Sequence, residues 1–204
     1  MSALSGLIKM LNKEVLISIF QKLLDKAKAS YDEFNSADGQ IGDGDLGVTI
    51  LHGIEEINNN IGKFTDDMGS NFMICSQAFV KKSGSSFGTL IAFSLMNISK
   101  NLKEKSECNH EDIVNIFEIA LKTILQRGKA SLGDKTIADS LDLIIKNLKD
   151  NKNYSEVFKL ATNQALKDFK GKKIKIGRAR MFEDKTKDLD DPGMYALSKL
   201  TEAF

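Results

Sequence analysis

Apolar residues recur along this chain at intervals of three and four. Between Val15 and Ala27, the residues Leu16, Ile19, Phe20, Leu23, Leu24 and Ala27 fall on one face of a 3.6-residue helix. The same period returns downstream and predicts helices near 13–34, 46–61, 67–81, 85–103, 111–128, 136–150, 153–170 and 193–203. No run keeps a strict apolar/polar alternation over more than a few positions, and Ile174-Lys-Ile176 is too short to found a sheet. The expected fold class is all-α, with eight helices whose short connections favour antiparallel neighbours in an up-and-down bundle.

Composition supports that reading. A single proline in 204 residues leaves long helices uninterrupted, because proline removes a backbone donor and clashes inside a helix. No repeat, low-complexity tract or linker divides the sequence, so residues 1–204 are expected to form one domain. Twenty-nine basic against 28 acidic residues give a net charge of +1, too little to draw in nucleic acid or an anionic membrane. Any anion site must therefore be local. Cys75 and Cys108 lack C-x-x-C spacing, and neither has a histidine at zinc-ligand distance; reduced thiols and a cytoplasmic chain are expected. Met1 to Met10 lack the features of a secretory signal, and no apolar run approaches the roughly 18 residues that span a bilayer. His52 and His110 have no paired metal ligand and read as ordinary.

Three connections are not ordinary turns: Asp38 to Gly47, Lys81 to Gly88, and Gly171 to Gly193. The first places Asp38, Asp43 and Asp45 within eight residues, with glycines at 39, 42, 44 and 47 freeing the backbone to fold them together. One Asp-Gly pair would be a turn former. Three neighbouring acids repel one another, however, and oxygen ligands without His or Cys select magnesium or calcium. An EF-hand is excluded, since counting from Asp43 the fifth position is Gly47 and the twelfth is Ile54.

The second connection, Lys81-Lys-Ser-Gly-Ser-Ser-Phe-Gly88, can present hydroxyls and backbone N–H groups to a phosphate at a helix start, or simply cap that helix. Its spacing is not that of the ordinary P-loop. Arg127 to Thr136 and Gly177-Arg-Ala-Arg180 add cations and glycines that suit phosphates or a base, or else form solvated basic turns. Asp191-Pro-Gly193 reads as the cap and first turn of the last helix.

Taken in order, five blocks resemble the L subunit of dihydroxyacetone kinases, the DhaL family, over nearly the whole chain. They are D-G-Q-I-G-D-G-D-L-G at 38–47, S-G-S-S-F-G at 83–88, R-G-K-A-S-L-G-D-K-T at 127–136, G-R-A at 177–179 and D-P-G at 191–193. The resemblance implies an eight-helix antiparallel barrel holding ADP or ATP and two magnesium ions at one end. It implies Asp38, Asp43 and Asp45 as the magnesium ligands. It places Leu46, Gly47, Val48, Thr49, Lys82, Ser83, Gly84, Gly128, Ile137, Arg178, Asp191, Pro192 and Gly193 around the nucleotide, with Arg178 the candidate charge stabiliser and no general base.

In such a system a separate DhaK-like subunit binds the keto-sugar. A DhaM-like phosphotransferase-system protein or exchanged ATP supplies the phosphate. Departures from the family pattern are Leu46 and Leu189 where many members carry His, Lys81-Lys82 where small residues are usual, and Ser85-Ser86 for a frequent Pro-Leu. Competing readings are an ADP-bound regulatory protein and a magnesium-dependent phosphohydrolase acting alone.

Overall fold

The computed structural model describes residues 10–204; the expectation of no secretory signal falls largely on residues 1–9, which lie outside them. Among the described residues the chain forms nine α-helices: α1 (Lys13–Ala29), α2 (Tyr31–Gly39), α3 (Leu46–Asn60), α4 (Met68–Lys82), α5 (Ser86–Asn101), α6 (His110–Gly128), α7 (Ile137–Leu148), α8 (Tyr154–Asp168) and α9 (Pro192–Thr201). The helix expected over 13–34 is two, because Ser30 leaves the helical region at φ −106° and ψ 11°. The second piece then runs on through Asp38, so that aspartate stands in a helix and not in a loop. Counted as one broken stave, α1 and α2 restore the eight that the periodicity predicts.

The starts of these helices follow local chemistry. Asn12, Asp67, Ser85, Asn109, Thr136, Asn153 and Asp191 each accept a bond from a first-turn N–H of the helix they precede. Each such cap contributes about 1 kcal/mol. Asn109 with Asp112 and Thr136 with Asp139 form reciprocal capping boxes, which fix the starts of α6 and α7.

Consecutive helices pack side by side from α3 to α8, α9 packs on α8, and α9 also touches α1 and α2, so the ring of staves closes. A continuous apolar interior fills it, including Leu16, Phe34, Ile50, Phe72, Ala92, Ile144, Leu148 and Ala161. One small element has no counterpart in the periodicity. Leu11–Asn12 (β1) and Glu107–Cys108 (β2) pair as two-residue antiparallel strands beside the ring.

Phe34 does most to position the acidic turn. It is fully buried on α2, a nine-residue helix too short to persist by itself. Its burial, worth about 1.5–3 kcal/mol, anchors the turn that carries Asn35 and Asp38. The Asn35 Oδ1 then accepts from Gly47 N at 2.7 Å and Val48 N at 3.3 Å, tying α2 to the first turn of α3.

Candidate functional site

Because neighbouring staves run in opposite directions, α3, α5, α7 and α9 all begin at the same end of the ring. Their positive dipole ends face one open cleft of about 890 Å³. The cleft is lined by the three aspartates, by Gly84 to Phe87, by Arg127 and Gly128, by Thr136 and Ile137, by Gly177 to Ala179, and by Asp191 to Gly193. All three connections singled out in the sequence therefore meet here.

At its acidic wall, Asp38, Asp43 and Asp45 each offer a carboxylate oxygen within 4.8 Å of the others. Asp38 Oδ2 accepts from Gly44 N at 2.8 Å and Asp45 N at 3.1 Å, so one of its oxygens shapes the turn while the other remains a ligand atom. Gly44 has φ +76°, a conformation that L side chains rarely adopt. At Gly42 a Cβ would lie 2.4 Å from Asp38 Oδ1. Burial, followed by the charges of Asp43 and Asp38, holds the Asp45 carboxyl above its ordinary range, and Arg178 partly offsets this. Close carboxylates with oxygen donors only fit a hard divalent cation such as magnesium. The arm's Arg178 Nη1 lies 2.5 Å from Asp43 Oδ2.

Opposite the acids the wall is apolar. Phe87, Leu90 and Phe93 on α5 face the cleft with Ile124 on α6 and Ile137 on α7. The Arg127 guanidinium carbon lies 4.1 Å from the centroid of the Phe93 ring, a cation–π contact and not a freely solvated turn. Such a flat, greasy wall, set near helix N-termini and a carboxylate cluster that can hold a cation, suits a ligand with a planar base and a charged tail.

Of the residues expected around a nucleotide, Leu46, Gly84, Gly128, Ile137, Arg178, Asp191, Pro192 and Gly193 line the cleft. Gly47, Val48, Thr49, Lys82 and Ser83 do not. The N–H groups of Gly47 and Val48 are taken by Asn35. Thr49 Oγ1 donates to Ser85 Oγ at 2.9 Å, joining α3 to the start of α5. Lys82 is exposed on the last turn of α4. Ser83 is 8% exposed and turned under α5, where a Cβ on Gly88 would strike its Oγ. Ser85 caps α5 through Gly88 N, so in the serine-glycine loop the capping reading is realised.

Residues that the sequence did not single out are Phe87, Leu90, Phe93 and Ile124. The i, i+3 spacing of Phe87, Leu90 and Phe93, and the place of Ile124 on the apolar face of α6, read equally as core. Leu46 is 5% exposed and forms part of the cleft floor. Asp191 caps α9 through Met194 N, with the only proline at its first turn as the sequence predicts. Burial pushes its carboxyl up to about 7, against the pull of the Met194 and Gly193 N–H groups. His110, read as ordinary, is a structural tie: Nδ1 lies 2.7 Å from the Tyr154 hydroxyl and Nε2 lies 3.0 Å from Leu148 O.

Comparison with known proteins finds relatives among dihydroxyacetone kinases and their ADP-binding subunits. The chain is 31% identical over 166 residues to dihydroxyacetone kinase 1 of Saccharomyces cerevisiae, matching 78% of this chain but only 28% of the yeast enzyme. It is 29% identical over 171 residues to the ADP-binding subunit DhaL of the PEP-dependent dihydroxyacetone kinase 1 of Listeria innocua, matching 82% of each. Against the ADP-binding subunit DhaL of the PTS-dependent enzyme of Lactococcus lactis it is 25% identical over 96% of this chain and 97% of that one.

The fold superposes on the crystal structure of the dihydroxyacetone kinase of C. freundii with a TM-score of 0.74 at 19% identity, covering all of this chain and 36% of that one. The same enzyme in complex with AMP-PNP and Mg2+ gives a TM-score of 0.73. The DAK2 domain profile matches residues 40–204, and the chain belongs to that family.

Proposed function

We propose that this chain is the nucleotide-binding subunit of a dihydroxyacetone-type kinase, passing a phosphoryl group to a keto-sugar held by a separate DhaK-like subunit. The observation that carries this reading is the convergence of Asp38, Asp43 and Asp45 on one wall of a cleft at which four helices begin. Asp38, Asp43 and Asp45 would hold two magnesium ions. When bound, these would neutralise the oxygens of a di- or triphosphate.

Transfer of a phosphoryl group depends on positioning and charge more than on an acid or base. The residues present match that demand. Phe87, Leu90, Phe93 and Ile124 would offer a dry wall to a base, and the first turns of α5 and α9, which line the cleft, would favour phosphates with their partial positive charge. Arg178 stands beside the acidic wall, where negative charge builds up during transfer.

Among the described residues no helix is long and apolar enough to cross a membrane. Cys75 and Cys108 are free and buried, which accords with a cytoplasmic setting.

The test is to purify the chain in magnesium, denature it and identify the released nucleotide. Stoichiometric ADP supports a resident cofactor rephosphorylated in place by a DhaM-like phosphotransferase-system protein. A nucleotide-free chain that binds ATP only with magnesium supports an exchanging kinase subunit. Failure to bind either nucleotide would overturn the reading.

A further inference from the structure

Between α8 and α9 some twenty residues contain no α-helix, only a kinked 3-10 helix over Arg178–Lys187, and they carry Arg178 to the acidic wall. A long arm without an α-helix needs contacts outside itself to hold its backbone at one place on the ring. Here a lysine makes such contacts. Lys135 lies just before the Thr136 cap of α7, in the left-handed region at φ +62°, and is only 1% exposed. Its Nζ donates to Leu189 O at 2.7 Å, Lys172 O at 2.8 Å and Thr186 O at 2.9 Å, with Lys187 O at 3.5 Å.

No carboxylate lies within ion-pair distance of this ammonium among the described residues. Its three N–H bonds go to carbonyls drawn from both ends of the arm, so the cage exists only while the arm is folded back upon itself. An ammonium suits the cage as a compact centre with three donors, whereas the planar guanidinium of arginine does not. Within the arm Ile174 N donates to Thr186 Oγ1 and Gly171 N to Lys187 O, each at 3.0 Å; toward the ring Ile174 is 3% exposed, and Lys175 donates from N to Asp134 O at 3.1 Å and from Nζ to Gly133 O at 3.0 Å.

We infer that Lys135 is the positioning residue of the C-terminal arm: by gathering the carbonyls of Lys172, Thr186 and Leu189 it holds Arg178 against the aspartate wall. The lysine does not line the cleft; it acts through Arg178. The holding of the arm stands on geometry alone, while its effect on nucleotide rests on the function proposed above.

The experiment joins hydrogen exchange to a double-mutant cycle on the full chain. In Lys135→Met, amides of residues 172–189 are expected to exchange at least about tenfold faster, with α3 to α6 unchanged. Magnesium-ADP affinity is expected to fall about tenfold, and in an Arg178→Ala background the same change should add less than about twofold. Unchanged exchange in the arm would overturn the inference, as would a full additive loss of affinity.

Should Lys135→Met fail to fold, Lys135→Gln, which keeps an amide donor, takes its place with the same expectations. If both unfold throughout, the lysine supports the whole domain and not the arm, and the inference is wrong. If the unaltered chain binds neither magnesium-ADP nor magnesium-ATP, the proposed function falls, yet the exchange comparison still decides the role of Lys135.

Discussion

Arg178 and Asp43, from the C-terminal arm and the turn before α3, meet across the mouth of the cleft at 2.5 Å with each side chain about half exposed, 55% and 52%. An ion pair this wet contributes about 0–1 kcal/mol to stability. Its worth lies in where it places a cation. Arg178→Ala should leave the melting temperature nearly unchanged and should not weaken magnesium binding in the absence of nucleotide, since Asp43 is freed. Affinity for magnesium-ADP should fall by about tenfold. Calorimetric titration of both ligands checks this, and a drop in metal affinity of the same size would contradict it.

Asp45 is crowded by burial and by its two acidic neighbours. Its charge is costly in the metal-free chain and useful only with a cation present. Asp45→Asn should therefore melt no lower than the unaltered chain in chelator, and should lose the rise in melting temperature that magnesium and ADP produce. Asp43→Ala should behave alike with respect to ligand. Thermal melts with and without magnesium-ADP separate the two effects, and a retained ligand shift in both variants would refute the metal assignment.

Gly42 offers a sharper probe, because its missing Cβ is the space that Asp38 Oδ1 occupies. The Asp38 carboxylate cannot simply rotate away, since Gly44 N and Asp45 N hold its other oxygen. Gly42→Ala is expected to cost about 1–2 kcal/mol of stability, within the range of ordinary local strain. Its metal affinity should fall by more than that of Gly62→Ala, where a Cβ meets nothing within 4 Å. Equal affinities in the two variants would show that Asp38 is not held as described.

Asp191 gives a pH signature. Burial raises its folded pKa to about 7, so the folded state takes up a proton that the unfolded state, near the ordinary carboxylate value, does not. This group's contribution is greatest below about pH 4, declines as pH rises toward 7 and is level above. Asn caps a helix as well as Asp, so Asp191→Asn keeps the bond to Met194 N and removes the titration. The variant should gain stability over the unaltered chain at pH 7.5 and lose that advantage at pH 5. Denaturant titrations at the two pH values decide it, and a constant difference would mean that Asp191 is ionised in both.

Much of the fold was legible because helical periodicity is a local signal that packing later uses. The all-α class follows from it, and the cap at Asp191 from the Asp-Pro-Gly order; the Thr136 cap was not read. The break at Ser30 was not legible, since no glycine or proline marks it; the α2 that follows it packs on α3 so closely that a Cβ on Gly47 would lie 2.3 Å from the Tyr31 carbonyl. In the site, the aspartates announce themselves because three acids in eight residues need a partner. Phe93 and Ile124 do not, since an apolar residue facing a cleft and one facing the core look alike in sequence. Lys135 was hidden for the opposite reason: a lysine usually signals solvent, and its acceptors are backbone atoms that carry no sequence identity.

The alternation of the staves has an engineering consequence. Every turn that touches the cleft lies at one rim, while the connections at 61–67, 102–109 and 149–153 lie at the other. Four connections thus touch the cleft, and the other three turn the chain away from it, the one at 102–109 also pairing with β1. The far rim is accordingly the place to graft a fluorophore, an affinity tag or an inserted module, with the full length of the helices separating the graft from the cleft.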